Sequence, residues 1–157
     1  MRLLLVCIVA LAGVSDAKIS DELLLALRMQ ESSNQAYPKG YNDNGKAKGW
    51  YQCHKDYWID GCNVLQVKWS WQDAHDLEKS TKVVCAYLKR YGESYKRQTK
   101  KEPTDEIYAM IHHFGPKGWT NPDKRYWLDV KRRLKGTDDS GSNASSKTSS
   151  KKSRPRR

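Results

Sequence analysis

The sequence predicts an α+β fold, mainly α, with a small β-hairpin region set among the helices. Three observations carry that expectation. Apolar residues recur at three- and four-residue spacing in segments near 20–31, 71–92, 104–114 and 121–135. Residues 37–56 instead gather Pro38, Gly40, Asn42, Asp43, Asn44, Gly45 and Gly49, which excludes a long helix and suits turns around a short hairpin. The length of 157 residues allows one domain with one modest core.

Each element has its own signal. Ser20 reads as an N-cap, with Asp21 and Glu22 in the first turn, where acids suit the helix dipole. Leu24, Leu27 and Glu31 follow on one stripe. Asn44-Gly45 is a favoured tight turn within the glycine-rich stretch. Ser70-Trp71-Gln72-Asp73 resembles a capping box and opens the longest predicted helix, 71–92, whose inner stripe is Leu77, Val84, Leu88 and Tyr91. Residues 93–103 are polar and basic and read as an exposed connection. Thr104 caps a short helix that Gly115-Pro116 stops. Asn121-Pro122 then starts a last helix with Trp127, Val130 and Leu134 on one face, ended by Gly136.

The ends read differently. Residues 1–17 carry one basic residue, an apolar run short for a membrane span, and small residues Ser15 and Ala17, the pattern of a secretory signal peptide. The folded domain is expected over 18–135. Residues 136–157 hold no aliphatic side chain larger than alanine besides Pro155 and no aromatic one, and are expected to be a disordered basic tail, with a glycosylation sequon at Asn143-Ala144-Ser145. The formal charge is +11, of which the body keeps about +7 without that tail. An exported cation of this kind is drawn to anionic surfaces such as bacterial envelopes, and export disfavours nucleic acid as a working partner. Removing the leader leaves Cys53, Cys62 and Cys85, enough for one disulfide and a spare thiol. Cys62 with Cys85 is the preferred pair, Cys53 with either the next. No CxxC spacing supports a metal site, and no cofactor is expected.

Two acids draw attention. A carboxylate in line with a core face is partly desolvated, which raises its pKa, so Glu31 suits a proton donor. The alternative places it on the frayed last turn, facing water. Asp43, in Asn42-Asp43-Asn44-Gly45, reads from local pattern as a turn residue bonding backbone N–H groups. The aromatic block Trp50-Tyr51-Gln52 with Tyr57-Trp58 follows. An acid ending a helix face, a second acid on a loop and a wall of rings point to cleavage of sugar chains.

Four segments resemble the invertebrate-type lysozymes, the family that includes destabilase. They are Glu31-Ser32-Ser33; Gly49-Trp50-Tyr51-Gln52 with Tyr57-Trp58-Ile59-Asp60; Tyr87-Leu88-Lys89-Arg90-Tyr91; and Ile111-His112 with Gly115-Pro116-Lys117-Gly118 and Tyr126-Trp127. Together they span residues 24–134 in the family's order. The resemblance implies a lysozyme-like fold with the hairpin beside a cleft, and a hydrolase acting on the β-1,4 glycan of peptidoglycan or chitin. It puts the catalytic acid at Glu31 and the second carboxylate at Asp43, displacing the purely structural reading of that turn. Tyr51, Gln52, Tyr57 and His112 are the candidates for lining the groove, whereas Trp58 and Trp127 read as core. The chain departs from the family in its few cysteines, with Lys48 and Trp119 at positions often occupied by Cys, and in having His113-Phe114 after the motif histidine.

The chemistry needs two unlike acids. A glycosidic oxygen leaves only when protonated, so one carboxyl must keep its proton while the other stays ionised beside the developing positive charge. The expectation is a secreted, monomeric muramidase, antibacterial or digestive, held to anionic bacterial surfaces by its basic tail. Two alternatives stand beside it: a lytic transglycosylase using Glu31 alone, and a catalytically weak cationic protein that binds glycans or membranes. For an isopeptidase only Ser70 and His112 offer themselves, and Ser70 is better explained as a helix cap.

Overall fold

The computed structural model describes residues 19–39 and 45–142, with side chains described as far as Gly136. The expected signal peptide, Asp43 and the chain beyond Ser142 lie outside the described residues. Among the described residues no helix is long and apolar enough to cross a membrane.

Helix α1 runs Asp21–Ser32, and Ser20 Oγ accepts from the Leu23 amide at 3.1 Å as its cap predicts. Its Leu23, Leu24, Ala26 and Leu27 are buried, so Glu31 follows a core-facing stripe. The chain then forms a minimal hairpin. Strand β1, Ala47–Lys48, pairs antiparallel with β2, Cys53–His54, in the register Ala47 to His54 and Lys48 to Cys53. The turn between them is Gly49-Trp50-Tyr51-Gln52, closed by the Gln52 amide to the Gly49 carbonyl at 3.2 Å; Asn44 of the expected Asn44-Gly45 turn lies outside the described residues. Gly49 has φ +75°, and a Cβ there would meet the Ala74 carbonyl oxygen at 1.8 Å, so both conformation and space demand glycine.

Helix α2, Lys55–Leu65, has no counterpart in the sequence reading, because its apolar side chains are mixed with acids and glycine. It packs against α3, where Gly61 brings the backbones close: a Cβ would lie 2.7 Å from Val83 Cγ1. The Ser70–Asp73 capping box is present, but it opens a 3-10 turn, Trp71–His75, and not the long helix. Asp76 caps that helix instead, accepting from the Lys79 amide at 2.9 Å, and α3 runs Leu77–Thr99. It therefore continues well into the polar stretch expected to be a connection, with Tyr95 still buried on its inner face.

Thr104 caps α4, Asp105–Phe114, as predicted. After a 3-10 turn at Gly118–Thr120, α5 occupies Arg125–Ser142. It starts later than Asn121-Pro122 suggests, because Asn121 and Asp123 use their carboxamide and carboxylate oxygens on the amides of Asp123 and Arg125. It also runs past Gly136, whose added Cβ would meet nothing, so this glycine is tolerated in the helix rather than ending it. Helix α5 packs on α1 and α4, and α3 on α2 and α4, closing one core around Leu23, Leu27, Trp58, Val84, Leu88, Ile111 and Val130. Trp127 and Leu134 pack against that core from its edge.

The cysteine expectation is corrected. Cys53, Cys62 and Cys85 are all free thiols. Cys53 and Cys62 sit inside the apolar core and Cys85 against it, so they act as small hydrophobic side chains. Burial pushes all three thiols up, away from the reactive thiolate.

Candidate active site

The end of α1, the hairpin and α4 enclose a cavity of about 420 Å³. Glu31, Tyr51, Gln52, Tyr57 and His112 all line it, so five of the six side chains singled out in the sequence meet in one place. Asp43, the sixth, lies outside the described residues.

Glu31 reaches the cavity from the last turn of α1, which is held in place by its neighbour. The hydroxyl of Ser32, fully buried, donates to the Trp50 carbonyl at 2.7 Å and so ties the helix end to the hairpin turn. The Glu31 side chain is 17 % exposed, which decides between the two sequence readings in favour of desolvation. Its described contacts converge on one oxygen. Tyr126 Oη donates to Oε1 at 2.6 Å, and His112 Nε2 and His113 Nδ1 each lie 3.8 Å from the same atom.

The electrostatic outcome differs from the expectation of a raised pKa. Burial does work in that direction. The attraction of His113 and His112 and the Tyr126 hydrogen bond outweigh it, so the carboxyl sits below its ordinary value. Tyr126 answers the same contact in the opposite sense: burial and the Glu31 charge push its phenol well up, so it remains a donor.

His112 is almost wholly enclosed, and burial is the main cause that lowers its pKa, partly countered by Glu31. Its Nδ1 lies 3.1 Å from Tyr57 Oη. A proton on Nε2 faces the carboxylate and leaves Nδ1 to accept from Tyr57, the tautomer favoured by those partners. Tyr57 in turn stacks on Tyr87, with centroids 3.6 Å apart, and burial pushes its phenol well up.

The hairpin supplies the facing wall. Gln52 sits at φ +47° and its Nε2 donates to the Gly49 carbonyl at 2.8 Å. Because that partner only accepts, the amide is oriented and Oε1 is left as an acceptor. Tyr51 is only 1 % exposed, with its hydroxyl accepting from Arg28 Nη1 at 2.9 Å and lying 3.1 Å from Thr81 Oγ1. It forms the floor of the cavity and is not an open platform for a sugar ring. Ser70 is not among the side chains around this cavity, where His112 lies.

Sequence reasoning passed over Tyr126 and His113 as site residues. Tyr126 is 95 positions from the carboxylate it contacts, which no local pattern reveals. His113 had one available signal, its place directly after the motif histidine on α4.

A family profile described as Destabilase matches residues 22–135. "Lysozyme" of Ostrea edulis is 35% identical over 130 residues, covering 80% of this chain and 88% of its own. "Lysozyme 1" of Crassostrea virginica is 29% identical over 117 residues, covering 74% of this chain and 60% of its own. Among solved structures, a chain of the crystal structure of Aeromonas hydrophila PliI in complex with Meretrix lusoria lysozyme matches with a TM-score of 0.59. That match is 24% identical and covers 73% of this chain and 89% of that one, a likeness of fold.

Proposed function

The chain belongs to the destabilase family, and from that premise we propose that it is a lysozyme, hydrolysing the β-1,4 bonds of bacterial peptidoglycan with Glu31 as general acid. The observation that carries this reading is the Glu31 carboxyl, desolvated at the end of α1 and gripped through Oε1 by Tyr126 and two imidazoles in a cleft of aromatic and amide side chains.

With Oε1 engaged, Oε2 is the oxygen that delivers the proton to the glycosidic oxygen. A glycan filling the cleft displaces water, which strengthens the desolvation that favours the protonated acid. The sugar left behind gains positive charge, and the ionised Asp43 meets it as nucleophile or as general base. Gln52 Oε1 accepts from a donor group on the sugar, an N-acetyl N–H or a hydroxyl. His112, fixed by Tyr57, turns Nε2 toward Glu31 Oε1 and helps hold that oxygen away from the sugar. Tyr57 borders the cavity while Tyr51 supports it.

The setting follows from the rest of the chain. A leader at residues 1–17 directs secretion, and the net charge of +11 draws the mature protein to anionic envelopes, with the basic tail adding to that attraction. The protein works as a monomer without a cofactor, in antibacterial defence or in digestion of bacteria.

Clearing of purified bacterial cell walls by wild type and Glu31→Gln tests the reading. The variant is expected to lose about 10²–10⁴-fold in rate, the usual contribution of a general acid. Equal clearing by both proteins would overturn it.

A further inference from the structure

The two imidazoles beside Glu31 are not equivalent. His112 has 3 % of its side chain exposed, while His113 keeps 43 %. The His113 ring lies flat on Tyr126, with centroids 4.0 Å apart and planes 10° apart, and meets Phe114 edge-on at 4.5 Å. One ring at the cavity mouth therefore touches water on one side and the acid's hydrogen-bond donor on the other.

We propose that His113 is a positioning residue for the acid: from its stack on Tyr126, 3.8 Å from Glu31 Oε1, it governs whether Glu31 carries a proton and so sets the pH range of hydrolysis. This rests on the reading of Glu31 as general acid.

At 3.8 Å the imidazole acts through its field more than through a hydrogen bond. A protonated ring favours the carboxylate, and a neutral ring does not. Of the two imidazoles only His113 opens to solvent on one side. Cys53 on β2, Tyr57 on α2, Tyr87 on α3 and Tyr126 on α5 are all pushed up by burial and stay neutral. Arg133 on α5 is held by Gln30 at 2.9 Å, and Asp123, which faces His113 from the segment before α5, is bound to Arg125. A sugar covering the mouth removes water from both His113 and Glu31. Two opposed charges then cost more than a neutral pair, and the balance moves toward the protonated acid.

The test compares wild type, His113→Asn and His113→Lys in two measurements: the pH profile of kcat/KM on cell walls, and a carboxyl ¹³C titration of Glu31 in the free proteins. The alkaline limb is expected to move up by about one pH unit in His113→Asn, raising activity several-fold above that limb. It is expected to stay in place in His113→Lys, which keeps a positive charge beside the carboxyl. The Glu31 titration midpoint should follow the limb in each variant. An unmoved limb and midpoint in His113→Asn would overturn the proposal, as would a uniform loss at every pH in that variant with the limb in place, which marks a plain sugar contact. If no form of the protein clears cell walls at any pH, the lysozyme reading fails, and the carboxyl midpoint still decides for or against the coupling.

Discussion

The two walls of the cleft are built by different physics. Glu31, His112, His113 and Tyr126 project from three helices whose inner side chains, including Leu23, Leu27, Ala109, Ile111 and Val130, are fully buried. Their positions follow from apolar packing shared across the whole core. The opposite wall has strands of two residues each and a turn with Gly49 and Gln52 at positive φ. So short a ladder contributes little. Bonds from side chain to backbone hold it instead: Ser32 Oγ to the Trp50 carbonyl at 2.7 Å, Trp50 Nε1 to the His75 carbonyl at 2.8 Å, and Trp71 Nε1 to the Cys53 carbonyl at 3.0 Å. The helical wall suits the proton chemistry, which needs a rigid desolvated carboxyl. The hairpin wall suits recognition, for which an oriented amide is enough.

Substitutions break the two walls in different ways. After Glu31→Gln, the largest expected effect on activity comes from Asp43→Asn, with a loss of about 10²-fold or more in cell-wall clearing. Full activity in that variant would instead mark a reaction using Glu31 alone, as in a transglycosylase. Gly49→Ala should damage the hairpin wall through stability, since it adds a Cβ at positive φ against the Ala74 carbonyl. A cost of about 3 kcal/mol is expected, read as a fall in the urea midpoint. If stability holds, the turn is more yielding than its contacts imply.

Tyr126→Phe probes the helical wall without changing its packing. Losing a donor to the charged carboxylate costs about 1 kcal/mol of stability and moves the Glu31 titration upward, since that bond favours the ionised form. Carboxyl NMR reads the direction, and a downward shift would contradict the assigned role. The smallest effect is on stability against pH. His112 has a folded pKa below its ordinary 6.5, so the unfolded chain binds more protons, and stability present at neutral pH is lost as pH falls below 6.5 toward the folded value. Glu31, held below 4.5, adds stability present above that pH and lost as pH falls through its folded value. Thermal melts should begin to decline as pH falls through about 6.5, the ordinary value from which His112 is lowered. His112→Gln should abolish that first step, and its persistence would assign it elsewhere.

Local physics made part of this legible from residue order. The Ser20 and Thr104 caps, the Leu24-Leu27-Glu31 stripe and the core roles of Trp58 and Trp127 each depend on neighbours within a few positions. Boundaries were less readable where two local signals competed. Ser70 and Asp76 are both good caps, and the chain uses the first for a 3-10 turn and the second for α3. The hairpin turn fell at Gly49 because the Ala74 backbone approaches it, a fact of packing between distant segments.

Sequence by itself determined a mainly helical chain, an acid in register with a buried face and a glycine-rich bend with aromatics after it, because periodicity and capping act over single turns. Tertiary structure decided the ionisation of that acid. Tyr126 and His113 come from helices far along the chain, and electric fields fall off through space without regard to residue number. It also left the cysteines as free thiols, since the core that surrounds them, and not their spacing, fixes their chemistry.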